Sequence, residues 1–384
     1  MCKIPLVNRF SLRPLWYLCD TPVVPDRKSS PIGGEANPAG RAISLKELAK
    51  HLKLSPTTLS LVLNGSPAAA SIPPETQERI FAAAKGFNYR PNFLARSLRS
   101  QRTYTVGVLV PELSEGYSAL VLSGIESFLL EQGYLCLVAS HRHKAKLLAR
   151  LPRFLFERCV EGLIGVDTPY DQRLPLPVVC ISGHLRTPGV TRIVLNHTMA
   201  AELALTHLQE LGHRDIAFIR GQDFSSDTKV RWDSIRTVAQ RMDLRVTPAL
   251  VVQLDGDSPS PETGYVAARK LLASGKPFTA LFAFNDVSAI GAIRALQEAG
   301  RRVPEDVSVV GFDNIPGGAF HIPALTTVSQ PLPRMGALAA EMLLKRIATP
   351  DAPCPEELDV DPELIVREST SAAPARAARR RMPA

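Results

Sequence analysis

Short hydroxyl side chains gather at the head of the run PTTLSLVLN: Ser55, Thr57, Thr58 and Ser60, bracketed by Ser44, Lys53 and Asn64. Hydroxyls bond phosphate oxygens and base edges alike, and a threonine methyl can rest on the methyl of thymine, so this set suits contact with a duplex. A second set lies in YRPNFLARSLR, residues 89–99, where Tyr89 and Asn92 lead into Ala95, Arg96, Leu98 and Arg99. An apolar side chain between arginines suits a narrow groove: Leu98 can wedge a base step, with Ala95 beside it, while Arg96 and Arg99 follow phosphate. A third set consists of residues that stand just after short apolar runs: Tyr117, Asp167, Arg231, Asn285, Asp286 and Asp313. A carboxylate and a guanidinium converging on one cleft can each bond two hydroxyls, which suits a polyhydroxylated, sugar-like ligand.

Motifs for catalysis are missing. The chain has no G-x-S-x-G elbow, no H-E-x-x-H, no G-x-G-x-x-G and no P-loop, so it reads as a binding protein and not an enzyme, with neither cofactor nor metal expected. His141 and His143, in H-R-H among basic residues, read as a solvated loop. The six cysteines are widely spaced with no C-x-x-C pair, which predicts free thiols and neither a zinc knuckle nor a disulfide framework.

Charge places the first two sets on a distinct module. Residues 41–102 hold ten Lys or Arg against three Glu, a net +7, whereas residues 103–370 hold 26 basic and 31 acidic groups, a net −5. A small cationic module on a mildly anionic body points to a polyanion partner for the module. Its pattern is helical. Ser44 with Glu47 makes a capping box, and Leu45, Leu48, Ala49 and Leu52 form one stripe. Ser55 caps a second helix with Pro56 at its first position, which ends at Asn64-Gly65. A third begins near Pro74 and carries Ile80, Phe81, Ala84 and Phe87. Two helices joined at Leu52-Lys53-Leu54 have helix-turn-helix spacing.

From residue 104 the period changes. Apolar runs such as TVGVLV, GLIGV, DIAFIRG and VSVVGFD alternate with amphipathic stretches such as AAELALTHLQELG. This predicts βαβ units in mainly parallel sheets, long enough for two α/β lobes with a ligand cleft at the C-terminal strand ends. No internal sequence repeat is visible. The expected organisation is a disordered extension over 1–40, a helix-turn-helix domain over 41–90, a hinge helix over 91–102, the two-lobed body over 103–370 and a basic tail over 371–384. No run spans a bilayer and no signal peptide is evident, so a cytoplasmic protein without membrane contact is expected. The tail lacks the leucine heptads of a tetramerising coiled coil.

The stretches ISLKELAKHLKLSPTTLSLVLNG, PPETQERIFAAAKGFNYRPNFLARSLRSQRTYTVGVLVPEL, LTHLQELGHRDIAFIRG and FAFNDVSAIGAIRALQEAGRRVPEDVSVVGFDN, with IPALTTVSQP, follow one another over about residues 43–370. In that order they resemble the LacI/GalR family of transcriptional regulators. The resemblance implies an all-α helix-turn-helix domain and hinge helix followed by a two-lobed, periplasmic-binding-protein-like effector domain. It also implies a homodimer on a pseudo-palindromic double-stranded operator, repression, and effector contacts at Arg231 and Asp313, with Tyr117 lining the first loop. Several positions depart from the family pattern. Leu61 follows Ser60 where an arginine is usual, Lys53 stands at the usual glycine of the turn, and Ser234-Ile235 replace Gly-Phe after Arg231. Asn196 replaces an aspartate, and SPAAASIPP is longer than usual. Two other readings share part of this evidence: a solute-binding protein with a vestigial N-terminal segment, and a weakly specific nucleoid-type DNA binder. The intact helix-turn-helix disfavours the first, and operator preference at physiological salt separates the second.

Overall fold

The computed structural model describes residues 43–91, 97–98, 100–113, 116–170, 175–182, 184–256, 260–350 and 352–374. The extension 1–40, the tail from 375 onward, and the expected contacts Asn92, Ala95, Arg96 and Arg99 lie outside the described residues. The chain divides into two compact units, Met1–Arg102 and Thr103–Ala384.

In the first unit three helices, Leu45–Leu52, Pro56–Leu63 and Pro74–Gly86, close over Leu48, Ala49, Leu59, Val62, Ile80 and Ala84. Ser44 and Glu47 form the expected reciprocal capping box, and Ser55 Oγ accepts from Thr58 N–H at 3.0 Å ahead of Pro56. The first helix ends on Lys53, whose φ of 55° is left-handed. A side chain there costs about 1–2 kcal/mol against glycine. The turn keeps the geometry because the Lys53 and Leu54 N–H groups bond the Lys50 and Ala49 carbonyls. The extra residues of SPAAAS wind into a 3₁₀ turn, Pro67–Ser71, which buries Ala69. On the third helix Ile80 and Ala84 hold the inner face, and Phe81 faces solvent.

The second unit carries two six-stranded sheets. The N-lobe sheet runs β2 (Leu135–Ser140), β1 (Thr105–Val110), β3 (Leu163–Val166), β4 (Val178–Ile181), β5 (Val190–Leu195) and β11 (Glu357–Val360), all parallel. The C-lobe sheet runs β7 (Val251–Gln253), β6 (Ile216–Arg220), β8 (Ala280–Ala283), β9 (Ser308–Phe312), β10 (Thr326–Ser329) and β12 (Glu363–Ile365), with only the last pair antiparallel. The central strands are buried on both faces, as parallel strands between helices must be. Helices Tyr117–Glu131 and Leu332–Ala348 cover one face of the N-lobe, and Ala145–Glu157 the other. In the C-lobe, Pro261–Ala273 and Asp286–Glu298 cover one face, with His197–Glu210 and Ser226–Arg241 on the other.

The chain therefore crosses between lobes three times: at Asn196 after β5, at Gln330-Pro331 after β10, and at Asp361-Pro362 between β11 and β12. Asn196 caps helix His197–Glu210 by accepting from Met199 N–H, and its amide donates to Asp361 Oδ1 at 3.3 Å, so two crossings are tied together. The four described cysteines, Cys136, Cys159, Cys180 and Cys354, are free.

Candidate functional site

Two places bring the candidate residues together, one on each unit. On the cationic unit, helix Pro56–Leu63 carries no charged residue. Thr57 is exposed, while Thr58 Oγ1 and Ser55 Oγ share a hydrogen bond of 2.8 Å. The Asn64 amide folds back on Ser60, donating to its carbonyl at 2.7 Å and its hydroxyl at 3.0 Å. Leu61, at the position where arginine is usual, packs against the small core, as does Tyr89. Ser44 and Lys53 are exposed at the two ends of the first helix, and Leu98 is 83% exposed.

On the second unit a narrow cleft, with room of about 60 Å³ for water-sized groups, lies between the lobes at the C-terminal ends of the strands. The N-lobe supplies Pro111 and Glu112 after β1, Tyr117, His143 after β2, and Asp167 after β3. The C-lobe supplies Gln222, Phe224, Ser225, Asp227 and Arg231 after β6, Phe284, Asn285 and Val287 after β8, and Asp313 after β9. Of the six residues expected there, five line the cleft: Tyr117, Asp167, Arg231, Asn285 and Asp313.

Asp286 does not. It is fully buried under the C-lobe sheet, where Oδ1 accepts from Thr327 Oγ1 at 2.6 Å and Oδ2 from Ile315 N–H at 2.8 Å. It ties the loop after β9 to β10. The expectation failed because the first residue of helix Asp286–Glu298 points inward, while Asn285, its cap, faces the cleft. The solvated-loop reading of His141 and His143 is likewise corrected. His141 is buried and bonds Thr168 Oγ1 at 3.0 Å. His143 stands in the cleft 3.4 Å from Glu112 and stacks on Phe224 of the opposite lobe, ring centroids 3.7 Å apart.

Arg231 anchors the charged wall. Its guanidinium lies 3.6 Å from the centroid of Phe312 and 4.4 Å from that of Phe284, donates to Phe284 O at 2.5 Å, and meets Asp227 Oδ2 at 3.3 Å. Its Nε has no partner among the described residues. Burial alone would raise the Asp227 carboxyl, but the hydrogen bond from His184 at 2.7 Å, the approach of His197 to 3.5 Å and the Arg231 charge hold it well below the usual carboxylate range.

The other two carboxylates move the opposite way. Burial and the Asp227 charge push Asp167 up to about 6, against hydrogen bonds from the Ser226 backbone and hydroxyl and from Ser225. Burial pushes Asp313 up to about 7, opposed by Arg231 and by Gln330, whose amide donates to it at 2.6 Å. Gln330 is one of the lobe crossings, so this carboxylate is bonded directly to the hinge. Asp313 also holds a positive φ of 103°, a strained conformation of the kind that persists where a site needs it. The Tyr117 phenol, raised by burial with Asp227 and Asp167 nearby, stays neutral; its hydroxyl is 2.7 Å from Ser182 Oγ.

The residues that sequence reasoning did not single out are Phe224, Asp227, His184 and His197, and it gave His143 no place in the cleft. Asp227 and Phe224 lie between β6 and the expected Arg231, but nothing in GQDFSSDTK tells which side chains turn inward. His184, His197 and Asp227 come within 4.8 Å of one another, a grouping with metal-ligand chemistry that no linear spacing announces. Among the described residues no helix is long and apolar enough to cross a membrane.

A periplasmic binding protein-like domain model matches residues 205–370. The HTH-type transcriptional repressor PurR of Aliivibrio fischeri (strain ATCC 700601 / ES114) is 33% identical over 338 residues, covering 85% of this chain and 98% of the relative. Among solved structures, the lac repressor dimer bound to operator and the anti-inducer ONPF superposes with a TM-score of 0.76 at 26% identity, covering 86% of this chain and 100% of that one. The transcriptional regulator CelR in complex with cellobiose gives 0.62 at 29% identity, covering 85% and 99%.

Proposed function

This chain belongs to the LacI/GalR family of transcriptional regulators and is an effector-controlled DNA-binding repressor, and from that premise we propose that its effector is a small polyhydroxylated, sugar-like metabolite held between the lobes. The observation that carries this is the pairing of Asp167 and Asp313 with Arg231 around one cleft, beside the faces of Phe224 and Phe284. Carboxylates and a guanidinium each take two hydroxyls, and aromatic faces cover the apolar side of a sugar ring. Cellobiose in the CelR structure supports the class. The stacked His143 and Phe224 favour a second ligand class, a planar heterocycle inserted between the two rings.

In this reading the protein acts as a homodimer on a pseudo-palindromic operator. Thr57, Thr58 and Ser60 touch base edges, while Ser44, Lys53, Ser55, Asn64 and Tyr89 position the helix on phosphate. Leu98 wedges the minor groove, flanked by Asn92, Ala95, Arg96 and Arg99. The domains divide at 1–40, 41–90, 91–102, 103–370 and 371–384. With no charge on helix Pro56–Leu63, base choice rests on hydroxyls and methyls, and the lysines and arginines around it supply sequence-independent affinity. Ligand and operator are then coupled through the lobe crossings, where Gln330 bonds Asp313.

The test begins with the operator, selected from random duplexes by the full-length protein at physiological salt. Mono- and disaccharides and free nucleobases are then screened for a change in operator affinity. A sugar that shifts it several-fold, with the shift lost in Arg231→Ala, is the expected result. A response to nucleobases alone selects the second class, and a sugar response that survives Arg231→Ala removes the assignment of the cleft.

A further inference from the structure

We propose that His184 Nε2, His197 Nε2 and Asp227 Oδ1 form a site for one divalent cation of the zinc class, joining the two lobes at their first crossing. The three residues come from three places that only the fold brings together. His184 lies on the loop after N-lobe strand β4, His197 is the first residue of the helix that follows the Asn196 crossing, and Asp227 opens C-lobe helix Ser226–Arg241. Asp227 Oδ1 lies 2.7 Å from His184 Nε2 and 3.5 Å from His197 Nε2, and the three ligand atoms lie within 4.8 Å of one another. A tetrahedral zinc ion holds its nitrogen and oxygen ligands about 3.3 Å apart. Side-chain shifts of under about 1 Å convert the observed triangle into that geometry.

A second observation points the same way. His197 is 4% exposed, and neither of its ring nitrogens makes a hydrogen bond among the described residues. Its Nε2 stands 3.5 Å from Asp227 Oδ1, too long for a good hydrogen bond, and a buried imidazole so poorly satisfied is costly, while it already faces the carboxylate that would be its co-ligand. Asp227 is also braced as a ligating carboxylate usually is. Arg231 takes Oδ2 and leaves Oδ1 to the histidines, so the guanidinium acts from the outer shell and does not occupy the site. The charge balance of the cleft accepts a cation. Among the described residues, Glu112, Asp167, Asp227 and Asp313 line it, against the guanidinium of Arg231. Two imidazoles with one carboxylate favour zinc, cobalt or nickel over magnesium or calcium, which want oxygen alone. The proposed ion is separate from the organic effector, and the test does not depend on which effector the cleft takes.

The test uses the full-length protein, stripped with EDTA, desalted and titrated with Co²⁺ while the visible spectrum is followed, then back-titrated with Zn²⁺. One equivalent is expected, with a nitrogen-and-oxygen spectrum lacking thiolate charge-transfer bands. His184→Ala should weaken binding by at least about 10–100-fold, the loss typical even of an outer-shell partner. His184 is partly exposed on a loop, so this variant should fold; His321→Ala serves as the histidine control and should bind as the parent does. X-ray absorption at the zinc edge of the wild-type chain needs no variant and should show two imidazoles with oxygen. Three results overturn the proposal: no bound equivalent, sulfur in the metal's shell, or Co²⁺ affinity unchanged in His184→Ala.

Discussion

The residue that follows β4 in the N-lobe is Ser182, and the residue at the same step of the C-lobe sheet, after β9, is Asp313. Both hold a positive φ, 55° and 103°, so the backbone makes a similar strained exit from the strand in each lobe. The side chains differ in kind. Ser182 is spent inside its surroundings, its hydroxyl shared with Tyr117 and its carbonyl with Ser226. Asp313 is a buried carboxylate on the cleft wall, tied to the hinge residue Gln330. Strand order is repeated between the lobes, but the chemistry presented at the strand ends is not. Among the described residues lining the cleft, the C-lobe carries the one guanidinium and two of the three aspartates, and the N-lobe contributes Tyr117, Asp167 and His143. A duplicated topology thus supplies two walls, and specificity is written unequally on them.

One device is shared by both lobes. In each, a pair of helices touches backbone to backbone at glycine. A Cβ on Gly124 would come 1.9 Å from the Pro333 carbonyl oxygen, and one on Gly291 would come 1.7 Å from that of Pro261. Neither neighbour can turn aside, since each is main chain. Gly124→Ala and Gly291→Ala should each cost about 3 kcal/mol, the upper part of the overpacking range, by forcing the helix pair apart. Hydrogen exchange should localise the damage, with Gly124→Ala raising exchange in β1 and β3 and Gly291→Ala in β6 and β8. If either variant loosens both sheets equally, the lobes are one cooperative unit and the comparison between them loses its energetic meaning.

Much of this was legible in the chain and some was not, for reasons that attach to particular residues. TVGVLV, GLIGV and VSVVGFD declare strands because both faces are buried and nearly every position is apolar. ELDV and ELI, the last strand of each sheet, do not, since an edge strand half covered needs no apolar run. The helix caps at Ser44 and Ser55 could be read because capping is local, and Asn285 caps its helix by the same local rule. Asp286, one position further on, was misread because its direction is set by Thr327 and Ile315, which are remote in sequence. The grouping of His184, His197 and Asp227 was invisible for the same reason. His141 and His143 looked solvated among basic neighbours, yet the loop folds His141 under Thr168 and sends His143 across the cleft.

The unequal walls can be separated by pH. Asp313, pushed up to about 7, and Asp167, up to about 6, both titrate above the ordinary carboxylate near 3.9. A carboxyl raised by folding keeps its proton longer in the native state, so its contribution to stability is fullest at acid pH and falls as pH rises from about 4 towards about 7. Effector binding runs the other way if the ionised Asp313 accepts the ligand's hydroxyls. Affinity should fall about tenfold for each pH unit below 7, about 1.4 kcal/mol per unit, as that acceptor is protonated. Asp313→Asn keeps an oxygen for Gln330 and should weaken binding at neutral pH while moving the onset of the remaining pH dependence down to about 6. Titration calorimetry with the effector found by screening, from pH 5 to 8, checks both. An onset that stays near 7 in Asp313→Asn would assign the dependence to another group.

The lobes also meet through a contact that belongs to neither wall alone. His143 reaches from the N-lobe, 3.4 Å from Glu112, and lies on Phe224 of the C-lobe at 3.7 Å between ring centroids and 28° between planes. Stacked ring pairs contribute about 0.5–1.5 kcal/mol beyond area burial. His143→Ala should therefore weaken lobe closure by that amount, a factor of about 2 to 12, without disturbing Asp313, Arg231 or the helix pairs. Small-angle scattering should show a broader distribution of lobe separations in the unliganded variant. Effector affinity should change in the sense set by the bound form: weaker if ligand closes the cleft on itself, stronger if the rings must part to admit it. That sign separates a sugar held between intact walls from a flat ring that takes the place of the stack.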